Sequence, residues 1–386
     1  MVFLQKMYIE IGKDVVEDAI AKKDLAVNES LNLLLLFALF AQKGKHIVNV
    51  PCLASDKEMV ESLRAIMTVS NLYKLRIAES QSYLLPAIKA AVSEYCIVTY
   101  KDGTEIDSRA IVINPLRMSE FEPYLETRVI TENLLDSVFF RFVARYYLRK
   151  KLFYGISIFY DAIPGGGSTT CEAVRSELEK AKRFCLVIVD GDKKYPTQPR
   201  DSGSTAGKVE DVVNMYSSRT CKLHIMKEVM EVENLIPKRI VGKYATDKHG
   251  ISILKSDFSY FDMKEGLTLK GLYNDDVYNY WKSSLTSDQK DFRKEAKANT
   301  KTRKEYEQYI DDKKFNNVII NGFGSDLLKN VTCFREVTGG IPFPELMDEM
   351  LNKIMPADLT SYQEKEWNEI GHLMFSWTCG LSERRA

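Results

Sequence analysis

Histidine is scarce and cysteine unpatterned in this chain, which removes the soft-metal chemistries first. The four histidines, His46, His224, His249 and His372, are scattered without ligand spacing. The seven cysteines, Cys52, Cys96, Cys171, Cys185, Cys221, Cys333 and Cys379, form no CxxC pair, and their number is odd. Neither a zinc cluster nor a disulfide framework is expected. Net charge is missing too. Fifty-four basic residues balance 54 acidic ones, so any contact with nucleic acid must come from local patches. The longest apolar run, Leu33 to Ala41, is far below the ~20 residues that cross a bilayer and reads as a buried helix. The N-terminus has no basic segment leading into an apolar core and a small-residue cleavage site, so no signal peptide is expected. A reducing cytoplasm fits these absences. There is no Walker A motif either. GSTAGKV lacks the GxxxxGK[ST] spacing and has Val209 where a Ser or Thr is needed.

What is present is a soluble, core-forming composition in a chain too long for one ordinary core. Three parts are expected. Residues 1–125 read as a helical domain with a β-hairpin, 126–245 as an α/β domain, and 246–386 as a helical C-terminal domain. The hairpin is read from EYCIVTYKDGTEIDSRAIVINP, where two β-rich runs flank Asp102-Gly103. Leu31–Ala41 and Glu58–Met67 read as helices.

The centre has its own rhythm. The run RVIT ends at Thr131, and NLLDSVFFRFVARYYLRKK then shows the helical period. ISIFY ends before Asp161 and leads into IPGGGSTT, where Thr169 and Glu172 suggest a capping box. FCLVIV ends before Asp190, and KLHIM precedes KEVMEVENLIP. Apolar strands alternating with helices imply a parallel sheet covered on both faces.

In such sheets ligands gather at the carboxyl ends of the strands. Strand one delivers Glu132, strand two Gly165-Gly166-Gly167, and strand three Asp190-Gly191-Asp192. The segment after strand four adds Glu231 and Glu233. Two unit charges ~5 Å apart at an effective dielectric of ~20 repel by roughly 3 kcal/mol, so such carboxylates call for a cation. Oxygen-only donors select a hard ion, Mg²⁺ or Mn²⁺.

The order TEN-LLD, GGG, DGD, EVEN resembles the TOPRIM domain shared by topoisomerases, primases and OLD-type nucleases. The likeness covers about 115 residues. In that family a glutamate follows the first strand, often in a pattern like EGxxD. Here it is Glu132, with Asn133 in the glycine's place and Asp136 the nearest aspartate. The family's DxD is Asp190-Gly191-Asp192. MEVEN is similar to the REIEN-like segment of OLD-type members, with Met230 replacing the basic residue. The resemblance implies a TOPRIM-like central sheet with catalytic residues Glu132, Asp136, Asp190 and Asp192. Asp190 and Asp192 would hold Mg²⁺ (or Mn²⁺), Glu231 or Glu233 would add a ligand, and Glu132 would bind metal or act as general acid or base. It implies a metal-dependent endonuclease cutting DNA or RNA. It also implies an effector of bacterial anti-phage defence, held in check by a separate ATPase or sensor protein, with room for a homo-oligomer and no membrane partner. The alternatives are a topoisomerase- or primase-like enzyme, a non-catalytic TOPRIM scaffold in nucleic-acid repair, and an unrelated doubly wound protein that binds a small ligand.

Basic residues surround these acids. Arg141, Arg145 and Arg149 recur every four residues on the helix after Glu132, extended by Lys150 and Lys151, and could track a nucleic-acid backbone. Lys193 and Lys194 adjoin the DxD. The glycine turn could offer amides to a phosphate. The loop DGDKKYPTQPRDSGSTAGKVED is expected to overhang the site. Lys290, Arg293, Lys294, Lys297, Lys301 and Lys304 read as a solvated helix face. Cys171, Cys185 and Cys221 read as buried, inert thiols.

Overall fold

The computed structural model describes residues 7–22, 27–42, 46–76, 84–101, 106–117, 126–244, 257–332 and 353–381. Its strands are β1 (Tyr8–Ile11), β2 (Ile47–Asn49), β3 (Tyr95–Val98), β4 (Ala110–Ile113), β5 (Arg128–Thr131), β6 (Ile156–Ile158), β7 (Asp161–Pro164), β8 (Cys185–Val189), β9 (Cys221–Ile225), β10 (Gly266–Thr268), β11 (Val318–Asn321) and β12 (Cys379–Leu381). The fold is α/β. The chain divides into two compact units, one of Met1–Ile188, Val209–His224 and Trp367–Ala386, the other of Val189–Lys208 and Ile225–Glu366. These units are interleaved in sequence, where the sequence reading expects three consecutive parts.

The first unit begins with a four-stranded sheet in the order β2-β1-β3-β4, every pairing parallel. The expected hairpin is not there. β3 and β4 are neighbours, but Tyr95 pairs with Ala110 and Val98 with Ile113, so the strands run the same way. The Asp102-Gly103 turn lies outside the described residues. The helix Glu29–Gln42 buries Leu31, Leu33, Leu34, Phe37, Ala38 and Phe40, as its apolar run requires. Asn28 starts it. Its Oδ1 accepts the Leu31 N–H at 2.9 Å and its Nδ2 donates to the Ala19 carbonyl at 2.8 Å.

A second four-stranded sheet has the order β7-β5-β8-β9. β5 is parallel to both β7 and β8, with Arg128 opposite Asp161 and Cys185. Cys185 N–H donates to the Thr220 carbonyl and Met226 N–H to the Val189 carbonyl, so β9 keeps the same direction. β8 is buried at every position, the mark of a central strand. The run ISIFY is corrected. β6 (Ile156–Ile158) forms an antiparallel ribbon with β12, and the strand that joins the sheet is β7, three residues beyond it.

Arg219 ties the two sheets of this unit together, its guanidinium donating to the Ser108 and Ala110 carbonyls. From Trp367 onward the helix Ser361–Thr378 packs on the helix Leu134–Lys150. The Trp367 indole meets Phe139, Phe142 and Tyr146 edge-on at 5.9, 6.1 and 5.1 Å. A Cβ at Gly371 would come within 2.5 Å of Tyr147 Cβ, so only glycine allows this crossing.

The second unit is not purely helical either. β10 and β11 pair antiparallel. The helices Ser287–Asn299 and Arg303–Asp312 each begin with a capping box, on Thr286 and Thr302. The basic residues here form no single stripe. Arg293 is buried, pairs with Asp275, donates to the Leu272 carbonyl and stacks 4.1 Å from the Tyr278 ring, while Lys297 lies 4.0 Å over Tyr273.

Asn133 shows how the helix Leu134–Lys150 begins. Its Oδ1 accepts the Leu135 N–H at 3.1 Å, and Asp136 Oδ2 accepts the Asn133 N–H at 2.7 Å, a reciprocal cap. Replacing Asn133 by Ala removes an N-cap, which typically costs about 1 kcal/mol. The urea unfolding midpoint of Asn133→Ala should drop accordingly, whereas an unchanged midpoint would show that the cap contributes nothing.

Candidate functional site

In the first unit, Glu132 sits half-buried where the chain leaves β5. Its carbonyl accepts the N–H of Gly166 at 2.9 Å and of Gly167 at 3.3 Å, while Gly165 N–H donates to the Thr131 carbonyl at 2.7 Å. All three amides of the glycine turn are thus spent on the end of β5, so the phosphate-cradle expectation for Gly165, Gly166 and Gly167 is corrected. The glycines are needed for shape. Gly166 and Gly167 have φ of 79° and 63°, and a Cβ on Gly165 would lie 2.3 Å from Thr170 Oγ1. The Thr169–Glu172 capping box is also absent, since Thr169 Oγ1 donates to the Gly165 carbonyl at 2.6 Å.

Asn133 sits without strain, because its φ is −130° and its ψ 151°, ordinary extended backbone. Asp136 is buried and its carboxylate caps the helix. That gives it a structural task at the helix start.

The remaining acids lie in the second unit. Asp190 Oδ1 accepts the Val232 N–H at 2.9 Å. The amides of Gly191 and Asp192 both donate to the Met230 carbonyl at 3.0 Å. Gly191 is enforced, since a Cβ there would lie 2.3 Å from the Val229 carbonyl oxygen. Asp192 adopts a left-handed φ of 55°, and its Oδ2 accepts the Ala206 N–H at 3.4 Å in the first turn of the helix Thr205–Tyr216. The tail of the expected overhanging loop is therefore helix.

The EVEN segment leaves both of its glutamates turned inward. Lys264 Nζ lies 3.1 Å from Glu231 Oε2 and 3.2 Å from Glu233 Oε1. Glu231 Oε1 accepts the Met263 N–H at 2.7 Å, whereas Glu233 Oε2 is buried without a hydrogen-bond partner in a residue only 2% exposed. Asn234 holds the segment in place. It is fully buried, accepts the Glu231 N–H at 2.8 Å, and donates to the Phe258 and Phe261 carbonyls at 2.7 and 2.8 Å. Gln363 clamps from the other side through the Asn234 and Ile236 carbonyls. The sequence left open which glutamate would face a metal, and both meet Lys264. It missed Lys264, which stands in SYFDMKEG without any motif to mark it.

The electrostatics follow from the count of charges. Burial and then the neighbouring Glu233 push the Glu231 carboxyl up to about 7, against the pull of Lys264. Burial works against the Lys264 ammonium, but Glu233, Glu231 and Asp190 outweigh it and hold it firmly charged. The two partners differ because one ammonium serves several acids. Lys264 can neutralise one charge, and a second buried carboxylate is left to favour its proton.

These carboxylates form a hard, oxygen-only donor set, and the orphaned Glu233 Oε2 is the kind of atom a cation would satisfy. In this arrangement the counter-charge is Lys264. Among the described residues, no group of three or more His, Cys, Asp or Glu side chains is spaced to hold a metal ion as it stands.

The basic candidates are partly absorbed into packing. Arg141 is half-buried 4.8 Å over the Tyr160 ring, and Arg149 lies 5.6 Å from the Tyr146 ring. Arg145 remains exposed. Lys193 is half-buried and Lys194 exposed, with the Lys194 N–H donating to Gln198 Oε1. Cys185 and Cys221 are buried as expected, and Cys171 is half-buried. No helix among the described residues is long and apolar enough to cross a membrane.

No family model, curated protein or solved structure matches the chain.

A carboxyl whose folded value is raised binds more protons when folded than when unfolded, so its contribution to stability is lost as pH rises. For Glu231 that window runs from its ordinary 4.5 to about 7. Unfolding free energy should fall across that range in the wild type, and Glu231→Gln should flatten the fall. Urea titrations between about pH 5 and pH 8 measure it, and a parallel slope in both proteins would refute the assignment.

Proposed function

We propose that this chain is a divalent-metal-dependent nuclease of TOPRIM-like build, cleaving phosphodiester bonds of DNA or RNA. The observation that carries the reading is the gathering of Asp190, Glu231 and Glu233 around one cationic group where the chain leaves β8, with a buried, orphaned Glu233 Oε2 among them. Sheet order supports it. The sheet runs β7-β5-β8-β9, so the connections reverse direction between β5 and β8. Ligands of open α/β sheets bind outside the carboxyl ends of the strands at such a reversal.

Asp190 and Asp192 are the ligands assigned to the ion, with Glu233 as the third and Glu231 beside it. A bound Mg²⁺ or Mn²⁺ would polarise a phosphate oxygen and make a water more acidic. The resemblance alone would give Glu132 the proton transfers at the scissile phosphate or a further ligand position. Lys264 competes for the same oxygens, so a divalent ion and the ammonium cannot both use Glu231 and Glu233 as arranged here. The defence role and the separate ATPase or sensor partner rest on the resemblance alone.

Cleavage of plasmid, single-stranded DNA and RNA with Mg²⁺ or Mn²⁺ tests the reading. EDTA should abolish it. Glu132→Gln and Asp190→Asn should each slow it on the order of 100-fold or more, with urea midpoints little changed. Activity that survives both EDTA and Glu132→Ala would overturn the proposal.

Arg145 supplies a second check, because it is exposed, unlike Arg141 and Arg149 of the same stripe. Each phosphate contact adds about 0.9 to the slope of log affinity against log salt on duplex DNA. Arg145→Glu should lower that slope by about one. An identical slope would remove the stripe from the interface.

A further inference from the structure

A cavity of about 320 Å³ opens within the second unit, at the small end of the range for small-molecule sites. Tyr260, Phe261 and Trp281 form an aromatic wall, and Lys194, Lys270 and Arg303 stand around it. The wall is fixed before any ligand arrives. Phe261 and Trp281 meet edge-on at 6.0 Å, Tyr280 and Trp281 at 5.0 Å, and Tyr260 and Tyr280 at 5.9 Å. Tyr260 spends its hydroxyl on the Lys227 carbonyl, so the ring is what it offers to a ligand.

The two acids of the lining do not cancel the cations equally. Asp262 Oδ1 accepts the N–H groups of Lys264 and Glu265 and is consumed by its own turn. Glu265 is exposed. On the cationic side Lys270 is held by Asp311 at 2.6 Å. Arg303 gives only its Nε to Glu307, in an exposed pair that is easily exchanged for a stronger anion. Arg303 and Lys194 are therefore the groups best placed to take a phosphate, Arg303 through a planar fork suited to it.

We propose that this cavity binds a nucleotide, its base against the accessible parts of Tyr260 and Trp281 and its phosphate on Arg303 and Lys194. Aromatic contact for the base and a charge-assisted contact for the phosphate are how proteins hold single nucleotides. The volume admits one nucleotide and excludes a duplex. The ligand is either a free mononucleotide or one nucleotide of a single strand. Met230 lines the cavity and directly precedes Glu231, so a strand seated here would pass beside the acidic cluster of the same unit.

The test uses the full chain in EDTA, titrated with the four nucleoside monophosphates, their nucleosides, inorganic phosphate and a 5′-phosphorylated single-stranded hexamer, followed by calorimetry. A saturable site is expected for nucleoside monophosphates, tighter than for nucleosides or phosphate alone. Arg303→Ala should weaken it on the order of 10-fold, and Lys194→Ala likewise, as expected for loss of a charge-assisted contact. A hexamer that binds at least ~10-fold tighter than the monophosphates identifies the strand as the ligand, and equal affinities identify the free nucleotide. No saturable binding, phosphate binding as tightly as nucleotide, or affinities unchanged in both variants would overturn the proposal. Its failure would leave the nuclease reading to be judged by EDTA and Glu132→Gln alone.

Discussion

Two buried carboxylates sharing one ammonium set the terms for the second unit. An ionised carboxylate out of water costs several kcal/mol unless it is matched by charge and hydrogen bonds. Glu231 meets that cost with Lys264 and the Met263 amide, and Glu233 meets it with Lys264 alone. The segments that carry the three residues therefore cannot drift apart. Asn234 provides the rigidity, because its amide reaches the Phe258 and Phe261 carbonyls and ties the EVEN turn to the chain that delivers Lys264. A helix-terminal cap has become the hinge pin of an electrostatic cluster.

The first unit has a different constraint. β5 must end where Glu132 is presented, and its last carbonyls are capped by the three glycine amides. Positive φ at Gly166 and Gly167 and the lack of room at Gly165 make that cap possible. The turn serves the strand end, and its amides have no capacity left for a phosphate.

The sequence was legible where one strand matched one apolar run. β5 and β8 fall on RVIT and FCLVIV because central strands bury both faces, and β9 falls on KLHIM although it lies at the sheet's edge. β7 was hidden for the opposite reason. It lies at the sheet's edge, is only half-buried, and ends in proline, while the apolar ISIFY beside it is matched to a partner more than 200 residues away. The hairpin failed because a turn signal reports a local bend but not the direction of pairing. Lys264 left no trace at all. An isolated lysine acquires meaning only when the fold brings two glutamates to it. The choice between Glu231 and Glu233 was open in the sequence because it depends on Lys264, which reaches both from a distant part of the chain.

The three residues Asp190-Gly191-Asp192 show why a short motif can be more informative than its length suggests. Each position is held by a separate physical requirement. Asp190 answers the Val232 amide, so replacing it leaves a backbone donor to find another acceptor. Gly191 admits no Cβ because the Val229 and Met226 carbonyls are too close. Asp192 tolerates a left-handed backbone that β-branched residues resist, and it points a carboxylate at a helix start. The Met230 carbonyl, accepting two consecutive amides, locks the motif against the EVEN turn. Backbone contacts therefore fix the distance between the DxD and the two glutamates before any cation is considered. Such preorganisation is what a metal or a phosphate would need, since the cost of bringing like charges together has already been met by the fold.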